Sequence, residues 1–412
     1  MNKKIIMHID IDSFFVSAER KNNKNLLNKS IAIAYKKSNA IAVSISYEAK
    51  EKGVKVPWKI KDIIKIDPDI IIIEPHYNLY VNESEKFFDF LRKNITNKIE
   101  IISIDECFLD VSEYAKNYDD LNQMALKIKE QIFTSLNLPV SIGVSYNKFL
   151  AKMATNLAKP FNVQIIYRKD IESKILPQSI DNFYGVGIKS AEKLKQLNIF
   201  TIKQFLFALE NNEIVKKILG KKRVDILENL TKEGDNKIKW KKEDSKTISH
   251  QITFDENSIY LERDELLKYL KEISINLSSS MKIKNLFSNE IQLTCFFKEK
   301  EKTFKKVKTS KYFNDFDTIY NNAIYLLNLM WYEQEIKSII LSINNLVPSF
   351  SQTDLINEND FKKVSKEEMI IKRINSLKNS NLLIKTSDLK KIKDKESDPV
   401  KTFAIAKNKK IN

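Results

Sequence analysis

The stretch ISIDECFLDVS, residues 102–112, places two adjacent carboxylates in the middle of an apolar run. The apolar residues recur as they do in a half-buried β-strand, on which neighbouring side chains point to opposite faces. Two adjacent acids on such a strand would leave one of them on the wrong face. We therefore expect Asp105 and Glu106 at the tip of a tight hairpin, where both lie at one end of a sheet.

The N-terminal segment KIIMHIDIDSFF, residues 4–15, alternates between apolar and polar side chains and predicts a strand over residues 5–11. Ile9 and Ile11 share one face, while His8, Asp10 and Asp12 share the other. A hairpin that pairs beside this strand would bring Asp10 to the two carboxylates of the hairpin.

Three carboxylates at one place repel one another unless cations neutralise them. Hard oxygen ligands favour Mg²⁺, or Mn²⁺ in its place, over zinc. Two such ions about 3.5–4 Å apart can activate an attacking oxygen and stabilise a leaving oxygen in phosphoryl transfer. From the spacing alone, the alternative remains open that Asp105 and Glu106 form an ordinary turn and that Asp10 is a surface acid.

The whole chain has 412 residues, 42% of them hydrophobic, which is enough for a sizeable core and more than one domain. Lys and Arg number 70 against 54 Asp and Glu, a formal net charge of +16. Such an excess favours a polyanionic partner, with nucleic acid first and an anionic membrane second, although a solvated lysine-rich surface has the same composition.

Two cysteines, Cys107 and Cys295, are too few for a disulfide framework or a structural zinc site. No apolar run approaches the roughly 18 residues of a membrane span. We therefore expect a cytoplasmic protein with no membrane partner.

The order of predicted elements in the N-terminal part is strand, insertion, helix, hairpin, helix, strand, with helices over 77–93 and 121–135. This order is typical of an α+β layer of the split βαβ type. A second α+β pattern follows a polar, mostly basic linker, with helices over 262–281 and 316–331, and its order is βαββαβ. The chain ends in a polar, lysine-rich tail.

Only six glycines occur, and two of them, Gly185 and Gly187, stand in NFYGVGIKSAEKLKQLNI immediately before an amphipathic helix. A G-x-G turn that opens a helix resembles a helix-hairpin-helix element. The free amides and positive end of that helix suit a DNA phosphate. An ordinary tight turn between packed helices explains the same pattern equally well.

Four segments together resemble the Y-family, or lesion-bypass, DNA polymerases of the DNA polymerase IV type, and the resemblance covers roughly residues 4–350. They are MHIDIDSFFVSAE (7–19), SISYEAKEKGVK (44–55), ISIDECFLDVS (102–112) and VSIGVSYNKFLAKMATNLAKP (140–160). A short C-terminal pattern also resembles relatives of the DNA polymerase V catalytic subunit, which leaves the subfamily open.

The resemblance implies an α+β right-hand polymerase. Its parts would be a ferredoxin-like palm (1–15 and 77–166), small fingers (16–76), a helical thumb with the helix-hairpin-helix (167–232), a basic linker (233–245), a βαββαβ little finger (246–348) and a polar tail (349–412).

The implied activity is template-directed and of the translesion type: low-fidelity addition of dNTPs to a primer 3′ end on primer–template DNA, without proofreading. Asp10 and Asp105 would bridge two Mg²⁺ ions, Glu106 would complete the site, and the backbone carbonyl of Ile11 would add a ligand. Asp12 is not a ligand in the family pattern, and we interpret it as structural.

Phe15 stands at the family's steric-gate position, where a flat ring leaves no room for a 2′-hydroxyl, and Phe14 would pack beside it. The resemblance assigns triphosphate contacts to one palm lysine and to three residues of the fingers. These are Lys159, and Ser44, Tyr47 and Lys50.

Two positions depart from the family pattern. Lys50 replaces the usual arginine, which exchanges a bidentate fork for a point charge and should loosen phosphate positioning. Asn162 replaces a common glycine, and asparagine also tolerates a positive φ. Neither change removes a metal ligand, so we expect activity.

The implied DNA contacts lie in the thumb and the little finger. They are Gly185, Gly187 and Lys189 of the thumb and Lys246, Thr247 and Ser249 of the little finger, with the basic run 298–311 along the duplex. In the tail, Gln352, Leu355 and Ile356 faintly resemble a sliding-clamp peptide that lacks its usual last residue. The resemblance also implies a monomer.

Three alternatives remain at this point. A two-metal structure-specific nuclease would also use helix-hairpin-helix elements, but it has no use for Phe15, Tyr47 or Lys159. A catalytically inactive DNA-binding relative is disfavoured by the intact carboxylates. A nucleotide cyclase on a similar palm would need a Gly-Gly-Asp turn, whereas Ile104 precedes Asp105 here.

Overall fold

The computed structural model of the chain describes residues 4–37, 39–219, 228, 230, 233–240, 245–254, 262–298 and 302–348. The chain divides into two units, Met1–Lys242 and Glu243–Asn412. The clamp-like residues Gln352, Leu355 and Ile356 lie outside the described residues, as does the rest of the tail. In the described part of the chain, no helix has the length and apolar character needed to cross a membrane.

A five-stranded sheet forms the centre of the first unit, in the order β5-β6-β1-β7-β8. All neighbours in it are antiparallel except β7 and β8. Its strands are β1 (Ile6–Ile11), β5 (Ile99–Ile101), β6 (Glu106–Asp110), β7 (Val140–Ser145) and β8 (Val163–Ile165). The order of β1, β5, β6 and β7 is that of a ferredoxin-like layer, as the sequence predicted.

Helices cover both faces of this sheet, which explains why every residue of β1 is buried. They are α4 (Tyr77–Asn94), α5 (Leu121–Leu136) and α6 (Lys148–Ala158). Met7, Ile9 and Ile11 pack into one core with α4 and α5. The alternate residues of β1 face α6, where His8 contacts Thr155. The alternation read in the sequence therefore separates a hydrophobic face from a face that carries the functional side chains.

Gly143 on β7 allows α6 to approach the sheet closely. A Cβ atom at this position would lie 2.1 Å from the Ala151 carbonyl oxygen and 2.3 Å from the Thr155 amide nitrogen. Only glycine fits at such distances. Any larger residue at position 143 would push away α6, the helix that carries Lys152 and Thr155.

The insertion after β1 begins with α1 (Phe14–Asn22) and continues as a small α/β layer. A three-stranded sheet, ordered β3-β2-β4, contains β2 (Ile31–Ile33), β3 (Ser44–Ile45) and β4 (Ile71–Ile73). The helices α2 (Tyr47–Glu51) and α3 (Ile60–Ile66) pack on it around a separate apolar core. This layer lies within residues 16–76, the range predicted for the fingers.

Three short helices follow the central sheet: α7 (Ile188–Gln196), α8 (Ile202–Asn211) and α9 (Glu213–Leu219). Helical turns at Arg168–Asp170, Ile171–Ile175 and Ile180–Asn182 lead into them. Gly185 has a positive φ of 94°, which favours glycine. Gly187 caps α7 with φ −82°, and no atom lies within 4 Å of a Cβ built there.

Part of the predicted linker, residues 233–240, lies against the central sheet. Lys148 pairs with Asp235 at 2.7 Å and with Glu100 at 3.1 Å, and the Lys239 amide donates to Glu100 at 2.8 Å. Ile238 packs on a small apolar cluster of the sheet and α6. These residues of the linker are therefore bound to the first unit.

The second unit has the order βαββαβ, as predicted, with a short additional strand. Its strands are β9 (Thr247–Thr253), β10 (Leu286–Phe297), β11 (Thr303–Phe313), β12 (Ile336–Asn344) and β13 (Val347–Pro348), and its helices are α10 (Arg263–Ile283) and α11 (Phe316–Asn328). The antiparallel sheet has the order β11-β10-β12-β9.

Both helices of the second unit cover one face of its sheet. Ile248, Ile291 and Leu341 join the helix core on that face. Because side chains alternate along a strand, Thr247, Ser249 and their neighbours lie on the opposite face.

Candidate active site

Two of the sequence-predicted carboxylates, Asp10 and Glu106, come together where β1 meets β6, and Asp105 is adjacent to Glu106 in the turn. Asp10 stands opposite Glu106 in the antiparallel register, and the Ile11 amide donates to the Asp105 carbonyl at 2.9 Å. Ile11 is the last residue of β1. Asp105 lies in the turn, where it accepts a hydrogen bond from Ser103, but Glu106 is already the first residue of β6. Asp105 is therefore at the tip of the hairpin, as predicted, but Glu106 is not. Glu106 lies on β6, side by side with Asp10 on β1.

Two lysine ammonium groups lie against these carboxylates. Lys152 on α6 bonds to Asp10 Oδ2 at 3.2 Å and also pairs with Glu106. Lys159, just after α6, lies 2.5 Å from Asp10 Oδ1. Burial alone raises the pKa of Asp10, but the charges of the two lysines outweigh it and hold that pKa at about 2. Burial raises the pKa of Glu106, and Lys152 opposes that effect only in part.

In this arrangement, no three His, Cys, Asp or Glu side chains of the described residues are grouped closely enough to hold a metal ion. The donor set nevertheless fits a hard divalent ion, because it consists of carboxylate oxygens that already attract two cationic groups. Asp10, Asp105 and Glu106 are the side chains that would hold such ions.

His8 lies behind Glu106, fully buried between the sheet and α6. Its Nδ1 is 2.9 Å from Thr155 Oγ1, and its Nε2 is 3.7 Å from Glu106 Oε2 without a hydrogen-bond partner among the described residues. Burial holds the pKa of His8 well below its usual value, so the ring is neutral at physiological pH.

Asp12 is bound in place from three directions. It accepts hydrogen bonds from the Tyr47 hydroxyl at 3.1 Å, from Ser141 at 2.9 Å and from the Phe161 amide at 2.7 Å. These bonds tie β1 to the fingers and to the loop after α6. The contacts agree with the structural role that we inferred for Asp12.

The positive φ in this turn belongs not to Asn162 but to Phe161, at 46°. Its amide bond to Asp12 and the packing of its ring on Phe133 hold it there. Lys129 also lies 4.2 Å from the ring centre. A bulky residue in the left-handed region is uncommon and requires such support.

The two phenylalanines of the predicted gate open α1, directly after Ser13. Phe14 is buried, whereas Phe15 is half-buried and stacks on Tyr80 with ring centres 4.1 Å apart and planes within 10°. Phe15 therefore presents the more accessible ring of the pair.

The predicted triphosphate residues of the fingers lie on β3 and α2. Lys50 donates to Ser13 Oγ at 3.0 Å and sits 3.8 Å above the Tyr47 ring. Ser44 is half-buried on β3. Tyr47 thus bonds to Asp12, and Lys50 bonds to Ser13. Lys159 pairs with Asp10.

The predicted DNA contacts lie in two places. In the thumb, a cleft of about 430 Å³ is lined by Lys159, Tyr184 and Gly185 among other residues, and Lys189 is exposed on α7. Lys246, Thr247 and Ser249 belong to the second unit, where Thr247 donates to Asn344 at 3.1 Å.

Comparisons with known proteins identify the family. The impB/mucB/samB family model matches residues 9–156, and the C-terminal domain model of that family matches residues 245–355. The chain is 35% identical over 353 residues to DNA polymerase IV of Ureaplasma parvum serovar 3, which covers 84% of this chain and 95% of that protein. The chain belongs to the Y family of DNA polymerases.

A second relative of this Y-family polymerase is DNA polymerase IV of Oceanobacillus iheyensis, 29% identical over 408 residues, with 97% of this chain and 95% of that protein covered. The polymerase function is thus supported, and the nuclease alternative is not. The chain is a DNA-directed DNA polymerase of the translesion type.

Solved structures of Y-family polymerases share the fold. A Y-family chimera of Dbh and Dpo4 matches with a TM-score of 0.72 at 23% identity, covering 84% of this chain and 99% of that chain. DinB from Sulfolobus solfataricus matches with a TM-score of 0.55 at 24% identity, with the same coverage. The right-hand polymerase fold implied by the sequence is confirmed.

Sequence reasoning missed three residues of this site: Lys152, Tyr80 and Glu19. Lys152 precedes Lys159 by seven residues, a spacing that returns to one helix face after two turns and provides a usable signal. Glu19 follows Phe15 by four residues, so both lie on one side of α1. Nothing in the sequence indicates that Tyr80 lies beneath Phe15.

Proposed function

We propose that this polymerase adds dNTPs to a primer 3′ end on primer–template DNA, with two Mg²⁺ ions, or Mn²⁺ in their place, held by Asp10, Asp105, Glu106 and the Ile11 carbonyl. The pairing of Asp10 with Glu106 at the β1–β6 junction, with Asp105 next to them in the turn, carries this proposal. Bound there, the ions would activate the primer hydroxyl toward the α-phosphate and offset the charge on the departing pyrophosphate.

The chain's own cations would bind and orient the triphosphate. Lys159 and Lys50 are placed near Asp10 and Ser13 by direct contacts, and Tyr47 is fixed through Asp12. Ser44 on β3 would add a hydroxyl donor. Lys50 offers a single point charge, so phosphate positioning should depend on it less than on a bidentate arginine.

Phe15 would select deoxyribonucleotides by exclusion, with Phe14 packed behind it. Its ring is half-buried and stacks on Tyr80. The Phe15→Ala variant should therefore incorporate ribonucleotides.

The thumb and the little finger would hold the duplex. The Gly185-x-Gly187 turn leaves open space at the N-terminus of α7, as a phosphate would need, and Lys189 is exposed beside it. Thr247 and Ser249 would contact the DNA backbone from the sheet face that the helices leave uncovered, and Lys246 would contact it from the position just before β9. We further propose a cytoplasmic monomer that docks on a sliding clamp through Gln352, Leu355 and Ile356.

Single-nucleotide incorporation with a DNA template and Mg²⁺ tests the site assignment. Asp105→Ala should abolish extension on undamaged and damaged templates alike, because a bridging carboxylate is lost. The matched control is Asp89→Ala, which removes an exposed acid of α4. Extension by Asp105→Ala at the parent rate would refute the assignment.

A further inference from the structure

Three aromatic rings surround Phe15: Tyr80 on α4 stacks on it, Tyr77 meets it edge-on at 6.2 Å, and Phe14 lies 5.6 Å away. Tyr80 is fully buried and stacks face to face on Phe15. Its ring also meets Phe14 and Tyr77 edge-on, with ring centres 6.3 Å and 6.0 Å away. These contacts fix the orientation of the Tyr80 ring. Because Phe15 stacks on that ring, its orientation is fixed as well.

The hydroxyl of Tyr80 is bonded to a buried carboxylate. It donates to Glu19 Oε1 at 2.6 Å, and His76 Nδ1 lies 2.8 Å from the same oxygen. Glu19 is only 6% exposed. A buried carboxylate needs such partners, and a hydrogen bond to a charged acceptor is among the stronger kinds.

Phe15 and Glu19 lie four residues apart on α1, so their side chains lie on one side of the helix. Tyr80 contacts both of them, the first with its ring and the second with its hydroxyl. A ring held at its face and at its far end cannot slide along α1 or tilt without breaking one of the two contacts. The position of the Phe15 ring is therefore set by the stacking on Tyr80 and by the bond from Tyr80 to Glu19.

We propose that Glu19 and Tyr80 are positioning residues for sugar selection, which hold the Phe15 ring where it excludes a 2′-hydroxyl although neither contacts the nucleotide. This inference rests on the proposed role of Phe15 as the gate. Without the hydroxyl bond, the ring contacts of Tyr80 remain but its far end is no longer anchored, and Phe15 can yield to a ribose.

The test compares kcat/KM for a dNTP and the matching rNTP in single-nucleotide incorporation. Tyr80→Phe keeps the stacked ring and removes only the hydroxyl. It should reduce discrimination by roughly tenfold, the equivalent of one charge-assisted hydrogen bond. The change should come from faster rNTP incorporation, with the dNTP value nearly unchanged.

Two further variants test the carboxylate. Glu19→Gln keeps an acceptor for the Tyr80 hydroxyl and should retain most of the discrimination, whereas Glu19→Ala should lose as much as Tyr80→Phe. The matched control is Tyr118→Phe, which removes a hydroxyl donor from the stacked Tyr114–Tyr118 pair. This control should discriminate as the parent does.

The outcomes distinguish the positioning role of Tyr80 and Glu19 from the role of Phe15 as the gate. Unchanged discrimination in Tyr80→Phe, or an equal fall for both nucleotides, overturns the positioning role, provided that Phe15→Ala incorporates ribonucleotides. If Phe15→Ala also discriminates normally, the gate assignment fails. If Tyr80→Phe does not fold, the difference between Glu19→Gln and Glu19→Ala decides the question.

Discussion

At the scale of single residues, Lys152 contributes an unexpected positive charge to the site. It bridges Asp10 and Glu106 with its ammonium group, so a carboxylate pair that would repel is stabilised by the chain itself. Divalent ions that bind the same oxygens must displace this contact or share the carboxylates with it.

Replacing Lys152 by methionine should therefore tighten binding of free Mn²⁺. Removal of one positive charge next to the ligands should raise the affinity by roughly tenfold, measured by electron paramagnetic resonance without DNA or nucleotide. Lys148→Met is the matched control, because Lys148 lies one turn earlier on α6 and bonds to Glu100 and Asp235 instead. Equal Mn²⁺ affinity in the parent and Lys152→Met would contradict the role of Lys152 as an internal counter-ion.

The pKa of Asp10 makes stability depend on pH. It lies at about 2, below the usual 3.8, because the two lysines outweigh burial. A lowered pKa stabilises the fold above the unfolded value, and this stabilisation is lost as the pH falls from about 4 toward 2.

In metal-free buffer at pH 5, the parent should exceed Asp10→Asn in free energy of unfolding by about 2 kcal/mol. Urea unfolding at pH 5, 4, 3 and 2 should show this difference shrinking steadily toward zero. A difference that stays constant over this range would show that the lysines do not hold the Asp10 carboxylate in its charged form.

At the scale of secondary structure, the approach of α6 to β7 depends on Gly143. Gly143→Ala should lower the free energy of unfolding by about 3 kcal/mol, because its Cβ would overlap backbone atoms that cannot move independently. Gly187→Ala is the contrasting variant: its φ is −82°, and a Cβ there meets open space. Thermal denaturation should show the first variant destabilised and the second unchanged. Equal melting temperatures for all three proteins would contradict the packing argument.

The elements themselves could be predicted from local patterns. The alternation in residues 4–15 predicted β1, and helical periodicity predicted α4 and α5 to within a residue at each end. The pairing of Asp10 with Glu106 required the resemblance, because 96 residues separate them. Tyr80 was missed because a buried contact between distant segments leaves no local period. Lys152 and Glu19 have a visible helical spacing, but their buried partners could not be read from it. Phe161 was missed because its conformation is imposed by Asp12 and Phe133 rather than by its own preference.

At the scale of the whole molecule, part of the excess of positive charge can be assigned to one surface of the second unit. In the second unit, Lys306 and Lys308 on β11 lie beside Glu290, at 3.6 Å and 4.0 Å, on the sheet face opposite the helices. The basic run 298–311, which the resemblance places along the duplex, thus borders a face with polar side chains such as Thr247 and Ser249. A charged run of this kind can also be no more than a solvated surface.

Salt dependence distinguishes these two explanations of the basic run. If Lys306 and Lys308 each neutralise a phosphate, the slope of log affinity for primer–template DNA against log salt should decrease by about one for each lysine changed to glutamine. Lys271→Gln is the matched control, because Lys271 is exposed on α10, which covers the other face of the same sheet. Fluorescence anisotropy across a salt series measures the slopes. If Lys306→Gln and Lys271→Gln change the slope equally, the charge is general and the uncovered face has no special part in holding DNA. If only the β11 variants change it, counterion release is localised to this face, as a duplex lying against β11 requires.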